Sequence, residues 1–179
     1  SDIASLAGAE LRVGGNLLGT DTSVAGTSAI RLNGNGNQTI NVADTTDNTI
    51  IIDKVSGTAT LGADLTLNGP SQNLSLVQGT LDSANRTITT ASGYSVIVNG
   101  ATLTGGGTIN SNLIIQSGGS VLLSASGTGV GEYTHFTVRD SVTLQANSHL
   151  IVNVGGMTTG GAIANFISGT SRTGTFNSI

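Results

Sequence analysis

The chain has no cysteine and no tryptophan, a single proline, Pro70, and charged side chains at only 9% of its 179 positions. Without cysteine there is no disulfide framework, thiolate zinc site or thiol nucleophile. Aromatic residues make up 3%, so stacking on nucleobases has little to work with. The basic residues are Lys54 and five scattered arginines, against a net charge of −4. Nucleic-acid binding needs a clustered basic footprint, so no nucleic-acid partner is expected. No apolar run reaches the roughly 18 residues of a spanning helix, so no membrane insertion is expected. The opening SDIASLAGAE lacks the basic and apolar regions of a signal peptide, and the chain reads as mature or as an excised piece.

Small polar residues take the place of charge. The sequence holds 27 Gly, 26 Thr, 20 Ser and 16 Asn. A surface this poor in charge resists association weakly. The hydrophobic residues, 37% of the chain, are enough for one core. They recur in short phrases such as TATLGADLTLNG (58–69), SVIVNGATLTG (95–105), GTINSNLIIQ (107–116) and SVLLS (120–124). Each alternates Thr, Ser or Asn with Leu, Ile or Val, the period of a strand with one buried face. Gly and Asn punctuate the runs as turn residues; NGNGN at 33–37 is the clearest such turn.

Strands are expected at 12–18, 29–32, 38–42, 49–53, 58–61, 65–67, 74–77, 86–90, 95–98, 101–103, 108–109, 113–116, 121–123, 133–138, 142–145, 150–154 and 163–167. The one helical prospect is a short polar cap at 1–11. Two architectures compete, a β-sandwich or barrel of hairpins and a parallel β-helix. Aligning LVQGTLDSANRTI (76–88) with VNGATLTGGGTI (98–109) gives an offset of about 21–22 positions, a length that suits one turn of a solenoid. A sandwich has no reason to produce such repeats. The expected fold is therefore a single all-β domain, a right-handed parallel β-helix of roughly eight coils stacked about 4.8 Å apart. Its coils span 12–130, with C-terminal coils over 131–179.

The stretch from 48 to 90, NTIIIDKVSGTATLGADLTLNGPSQNLSLVQGTLDSANRTITT, resembles the strand repeats of large secreted bacterial surface proteins. These are the autotransporter passengers and filamentous-haemagglutinin-like adhesins. The tail, from THFTVRDSVTLQANSHLIVNV to FISGTSRTGTFNSI, resembles the last coils of such passengers, where a Gly-Thr-Phe element follows a final strand. The resemblance covers about residues 38–179. It implies the right hand of the helix, a place outside a bacterium or on its surface, and a non-enzymatic role as adhesin, stalk or matrix. The family's membrane-anchoring barrel and inserted effector domains find no match in this sequence.

Few residues stand out as chemistry. His135 and His149 are the only histidines, and His135 sits in the alternating YTHFTV. A catalytic triad with Asp140 would need a nucleophile elbow, which no segment supplies. The ten carboxylates are spread singly, unlike the paired acids of glycosidases. DTTDN offers a weak Ca²⁺ candidate in Asp44, Asp47 and Asn48, with a polar turn as the simpler reading. No cofactor is implied. The glycine runs at 105–107 and 118–119 lack the following Lys-Ser/Thr of a phosphate loop.

Three functions follow as expectations. The first is a structural unit that stacks head to tail, because an open β-helix end invites another copy. Its uncharged C-terminal stretch would place Thr173, Thr175, Phe176 and Ile179 in the contact. The second is a carbohydrate-binding or polysaccharide-cleaving β-helix, for which Tyr94, Glu132 and Tyr133 are the candidates. A host-surface or glycan ligand fits either. The third is ice binding through Thr58/Thr60, Thr87/Thr89, Thr102/Thr104 and Thr173/Thr175, whose spacings in sequence are irregular.

Overall fold

The computed structural model describes residues 10–19, 29–42, 48–69, 72–127, 131–155 and 166–177. Among them there are strands and turns but no helix. In chain order the strands are β1 (Leu11–Val13), β2 (Leu17–Gly19), β3 (Ile30–Leu32), β4 (Gln38–Val42), β5 (Ile50–Leu61) and β6 (Leu65–Leu67). Then come β7 (Leu74–Asp82), β8 (Thr87–Thr90), β9 (Ser95–Val98), β10 (Thr102–Thr104), β11 (Gly107–Asn110) and β12 (Asn112–Ile115). The last are β13 (Ser120–Ala125), β14 (Phe136–Val138), β15 (Ser141–Leu144), β16 (His149–Val154), β17 (Ile167–Ser168) and β18 (Ser171–Thr173).

Every strand-to-strand ladder is parallel, and each joins a strand to one a repeat further along the chain. Three stacks result. The first runs β1-β3-β5-β7-β9-β12-β15-β18. The second links β2, β4, β5, β7, β10, β13 and β16. The third, a separate sheet, is β6-β8-β11-β14-β17. The long strands β5 and β7 serve the first stack with their first halves and the second with their last, as Ile50↔Leu74 and Thr58↔Thr80. The offset read from sequence is the true register: Leu76 faces Val98, Thr80 faces Thr102 and Ile88 faces Ile109. The repeat is not constant, however. It is short where Ser95 meets Asn112 and much longer where Phe136 meets Ile167.

Inward positions form apolar ladders because the pleat sends alternate side chains to one face. Ile30, Ile50, Leu74, Val96, Leu113 and Val142 lie in register and are each at most 2% exposed. Leu65, Ile88, Ile109 and Val138 lie in register in the third stack, each at most 3% exposed. Burial of each such side chain contributes about 1.5–3 kcal/mol.

Corners are held by a recurring device. A side-chain oxygen just before one strand accepts a backbone N–H at or near where pairing resumes one repeat on. Asn16 Oδ1 accepts from Thr39 N (2.8 Å), Asn37 from Thr58 N (3.0 Å), Asp64 from Thr87 N (2.9 Å) and Asn73 from Ser95 N (2.8 Å). Pairing thus continues past the strand ends, where the backbone has turned away.

One corner is polar to the core. Lys54 is fully buried, and its Nζ donates to Gly34 O (2.7 Å), Gly36 O (2.8 Å) and Gln38 Oε1 (2.7 Å). Buried Gln38 also accepts from Gly34 N and donates through Nε2 to Val13 O and Gly15 O. Burial pushes the ammonium pKa down. Three oxygen acceptors match its three donors, as a charge in the interior requires. Gly79, at φ +82°, lies against this residue: a Cβ there would stand 2.6 Å from Lys54 O, so glycine is needed for both conformation and space.

The expected strands at 38–42, 65–67 and 95–98 match observed bounds. The expected 12–18 run is two strands, divided at Gly14–Asn16 where the chain passes from the first stack to the second. The 133–138 run contributes only Phe136–Val138 to a ladder, and β18 was not anticipated. Of the supposed cap, residues 1–9 lie outside the described residues, Glu10 is not helical, and Leu11 opens β1.

Two substitutions test the corners. Asn37→Ala should cost about 1 kcal/mol by leaving the Thr58 N–H without its protein acceptor. Lys54→Met should cost about 2–4 kcal/mol, because three inward acceptors lose their donor. Urea midpoints read both, and an unchanged midpoint for Lys54→Met would mean the network does not hold the corner.

Candidate functional site

The parallel pattern is broken once among the described residues, by an antiparallel bridge between Ala125 and Tyr133. It belongs to an excursion between the second and third stacks. Ten residues, 126–135, separate β13 from β14, and twelve, 155–166, separate β16 from β17. The same corner takes two residues between β10 and β11, three between β5 and β6, and four between β7 and β8. The extra length thus enters at one corner in two successive repeats.

The excursion after β13 closes on itself through Ser126 N→Glu132 O (2.7 Å) and Thr134 N→Ser124 O (2.8 Å). Thr134 Oγ1 accepts from Ser124 N (2.8 Å), and Ser126 Oγ donates to Glu132 O (3.1 Å). An open groove of about 400 Å³ results, lined by Ser124–Ser126, Gly131–Thr134, Asn153 and Gly155. The Glu132 carboxylate overhangs Gly127, where a Cβ would collide with Oε2. The part-exposed Tyr133 ring meets Phe166 edge to face, centroids 6.0 Å apart at 79°, and lies 5.9 Å from the His135 ring. Tyr133, Phe136 and Phe166, three of the chain's five Phe and Tyr residues, thus gather at this corner.

Of the carbohydrate candidates, the structure brings Glu132 and Tyr133 into one groove; Tyr94 lies elsewhere, in the turn before β9. Asn153 and Phe166 escaped the sequence reading, since they come from the next repeat and only the registers of β13 with β16 and of β14 with β17 show their proximity. His135 is exposed and its carbonyl accepts from Gly107 N; Asp140 is exposed before β15, where its carbonyl accepts from Thr170. Asn48 is fully buried, while Asp44 and Asp47 lie outside the described residues. Among the described residues no three His, Asp or Glu side chains converge as a metal site would need.

Thr173 is exposed in β18 and faces Thr143; Thr175 is exposed, and Phe176 is half-buried against the core. Ile179 lies outside the described residues. Thr58/Thr60 and Thr102/Thr104 share the second stack, Thr87/Thr89 sits on the third, and Thr173 belongs to the first, so the four pairs do not make one face.

Among the described residues the ion pairs lie at the other end. Arg31 joins Glu10 (2.8 Å) to Asp53 (2.8 Å) across the first stack, and Arg12 adds a second contact to Glu10 (3.0 Å). Hydrogen bonding from Arg31, then from Arg12, holds the Glu10 carboxyl below the usual carboxylate range.

No protein-family model matches this chain, and no curated protein or solved structure is significantly similar to it.

Because the native pKa of Glu10 is lowered, its stabilisation is fully present above the unfolded value of about 4.3 and is lost as pH falls through the native value. Urea midpoints from pH 7 to pH 2 should therefore show wild type exceeding Glu10→Gln at neutral pH and converging with it in acid. The gap should narrow in high salt, since both partners keep part of their surface in water. Parallel curves at all pH values would remove Glu10 as the source.

Proposed function

We propose that the chain is a non-enzymatic, extracellular structural unit of a bacterial surface, a stalk, adhesin or fibre subunit built as a right-handed parallel β-helix that stacks head to tail. Three parallel stacks, visited in rotation from β5 to β17, support the winding, and the eight strands of the first stack would each give one side to a coil. The right hand follows from the strong preference of parallel crossover connections.

The observation that carries the stacking is an incompletely covered core. Phe136 and Val121 are fully buried, whereas Ile167 and Leu150, their register partners one repeat on, are only part-buried. Val154 is 61% exposed where its partner Ala125 is 2% exposed. All three residues of β18 are exposed. A further layer of strands would bury these apolar groups and continue the parallel ladder from β18. A second copy would supply it in such a stack, and the low density of surface charge weakens the repulsion that opposes its approach.

Electron microscopy and light scattering of the purified chain test the assembly. Filaments one β-helix wide are expected, growing with concentration. Thr175→Asp and Thr175→Pro should each weaken assembly at least tenfold while leaving the thermal midpoint within a few degrees. Monomers at all concentrations, or filaments indifferent to both substitutions, would overturn stacking through this end.

A further inference from the structure

We propose that the groove at the second-to-third corner binds a neutral oligosaccharide, with Tyr133 as the stacking platform and Glu132 and Asn153 as the hydroxyl-reading groups. The proposal rests on the adhesive reading above only in naming what is adhered to; the groove needs no second copy to form.

Four observations converge on it. Extra residues enter at this corner in two successive repeats, while elsewhere the third stack is reached in two to four residues. Insertions of this kind are where a rigid scaffold carries its binding groups. The groove, of about 400 Å³, is open and suits an extended chain lying along the surface better than an engulfed small molecule. Tyr133 is the one aromatic among the described residues lining the groove, and its edge contact with Phe166, centroids 6.0 Å apart, orients the ring. An aromatic face is electron-rich and attracts the weakly positive C–H face of a pyranose.

The polar groups fit the same ligand. A carboxylate accepts strong hydrogen bonds from sugar hydroxyls, and a carboxamide both donates and accepts. The loop's own hydrogen bonds hold Ser124, Ser126, Glu132 and Thr134 in place before any ligand arrives, which lowers the entropy cost of binding. Charge sets the class. Among the described residues no Lys or Arg lines the groove, Glu132 does, and the chain carries a net −4. A polyanionic glycan would bring repulsion and find no cation.

Saturation-transfer NMR and calorimetry with cello-, xylo-, manno- and chitohexaose, and with hexagalacturonate as the anionic probe, test this. Binding of at least one neutral hexasaccharide is expected, with a dissociation constant on the order of a millimolar or tighter. Tyr133→Ala, Asn153→Ala and Glu132→Gln should each weaken it fivefold or more, and Tyr94→Ala should leave it unchanged. Asn153 is exposed, so Asn153→Ala keeps the test valid if Tyr133→Ala fails to fold. No binding by any neutral probe, tighter binding of hexagalacturonate, or equal binding by Tyr94→Ala, Asn153→Ala and wild type would overturn the proposal. Variants that lose sugar but still form filaments would separate this site from the stacking surface; loss of filaments alone would leave sugar binding intact.

Discussion

Parallel hydrogen bonding between one repeat and the next is the constraint on which the rest depends. A strand of three or four residues cannot hold itself; its N–H and C=O groups are satisfied only by strands above and below. Those partners lie a whole repeat away in sequence, as far apart as Phe136 and Ile167, so every inward side chain must find an apolar neighbour at that distance. The ladder from Ile30 to Val142 is this requirement met five times over. At the corners, where the backbone turns and ladders would stop, Asn16, Asn37, Asp64 and Asn73 lend a side-chain oxygen to the next repeat. The abundance of Asn and the scarcity of charge have one origin here. A short side-chain acceptor suits a corner, and stacked like charges about 4.8 Å apart would repel.

The buried Lys54 shows how strictly polar groups must be matched. Its ammonium has three donors and meets three oxygens; Gln38 beside it uses both its amide hydrogens and its carbonyl. The network ties three successive repeats at one corner, with Val13 and Gly15 below, Gly34 to Gln38 between, and Lys54 above. An apolar residue at 54 would avoid desolvating a charge but would leave the NGNGN carbonyls facing inward with no donor. The turn sequence and the lysine are thus one feature, though a full repeat separates them along the chain.

How much of this could be read in advance depends on whether the signal is local. Alternation is local, so β4, β6 and β9 were found with their bounds. The repeat offset was legible between 76–88 and 98–109 because those two consecutive repeats keep nearly the same turn lengths, and the register confirms it at Leu76↔Val98 and Ile88↔Ile109. Further on the repeat shortens at Ser95↔Asn112 and then lengthens, and no fixed period would have aligned Ser171 with Ser141. The strand 171–173 was missed because all its residues are polar and exposed, with no buried face to impose alternation. Lys54 was legible and overlooked: Ile50, Ile52 and Lys54 share one phase of a strand, which sets the lysine inward. Glu132 and Tyr133 were picked for their chemistry, but their company could not be, since Asn153 and Phe166 reach them only through the pairing of later repeats.

The position of the long excursions is itself informative. In a stack held by inter-repeat ladders, residues added within a strand shift its register and turn its apolar face outward. Residues added at a corner disturb nothing so long as the strands on either side keep their partners, and the entropy cost of a longer loop grows only slowly. Corners are therefore where such a chain can acquire chemistry without losing its core. Here β13 stays in register with β16, and β14 with β17, although the repeat between them is lengthened. The surplus is confined to one corner, twice in succession. Because the strands beneath keep their pairing, Asn153 and Gly155 of the next repeat come to line the groove beside Glu132 and Tyr133. The scaffold thereby separates two demands: its ladders fix the shape of the core, and the corner after β13 can be lengthened without disturbing them.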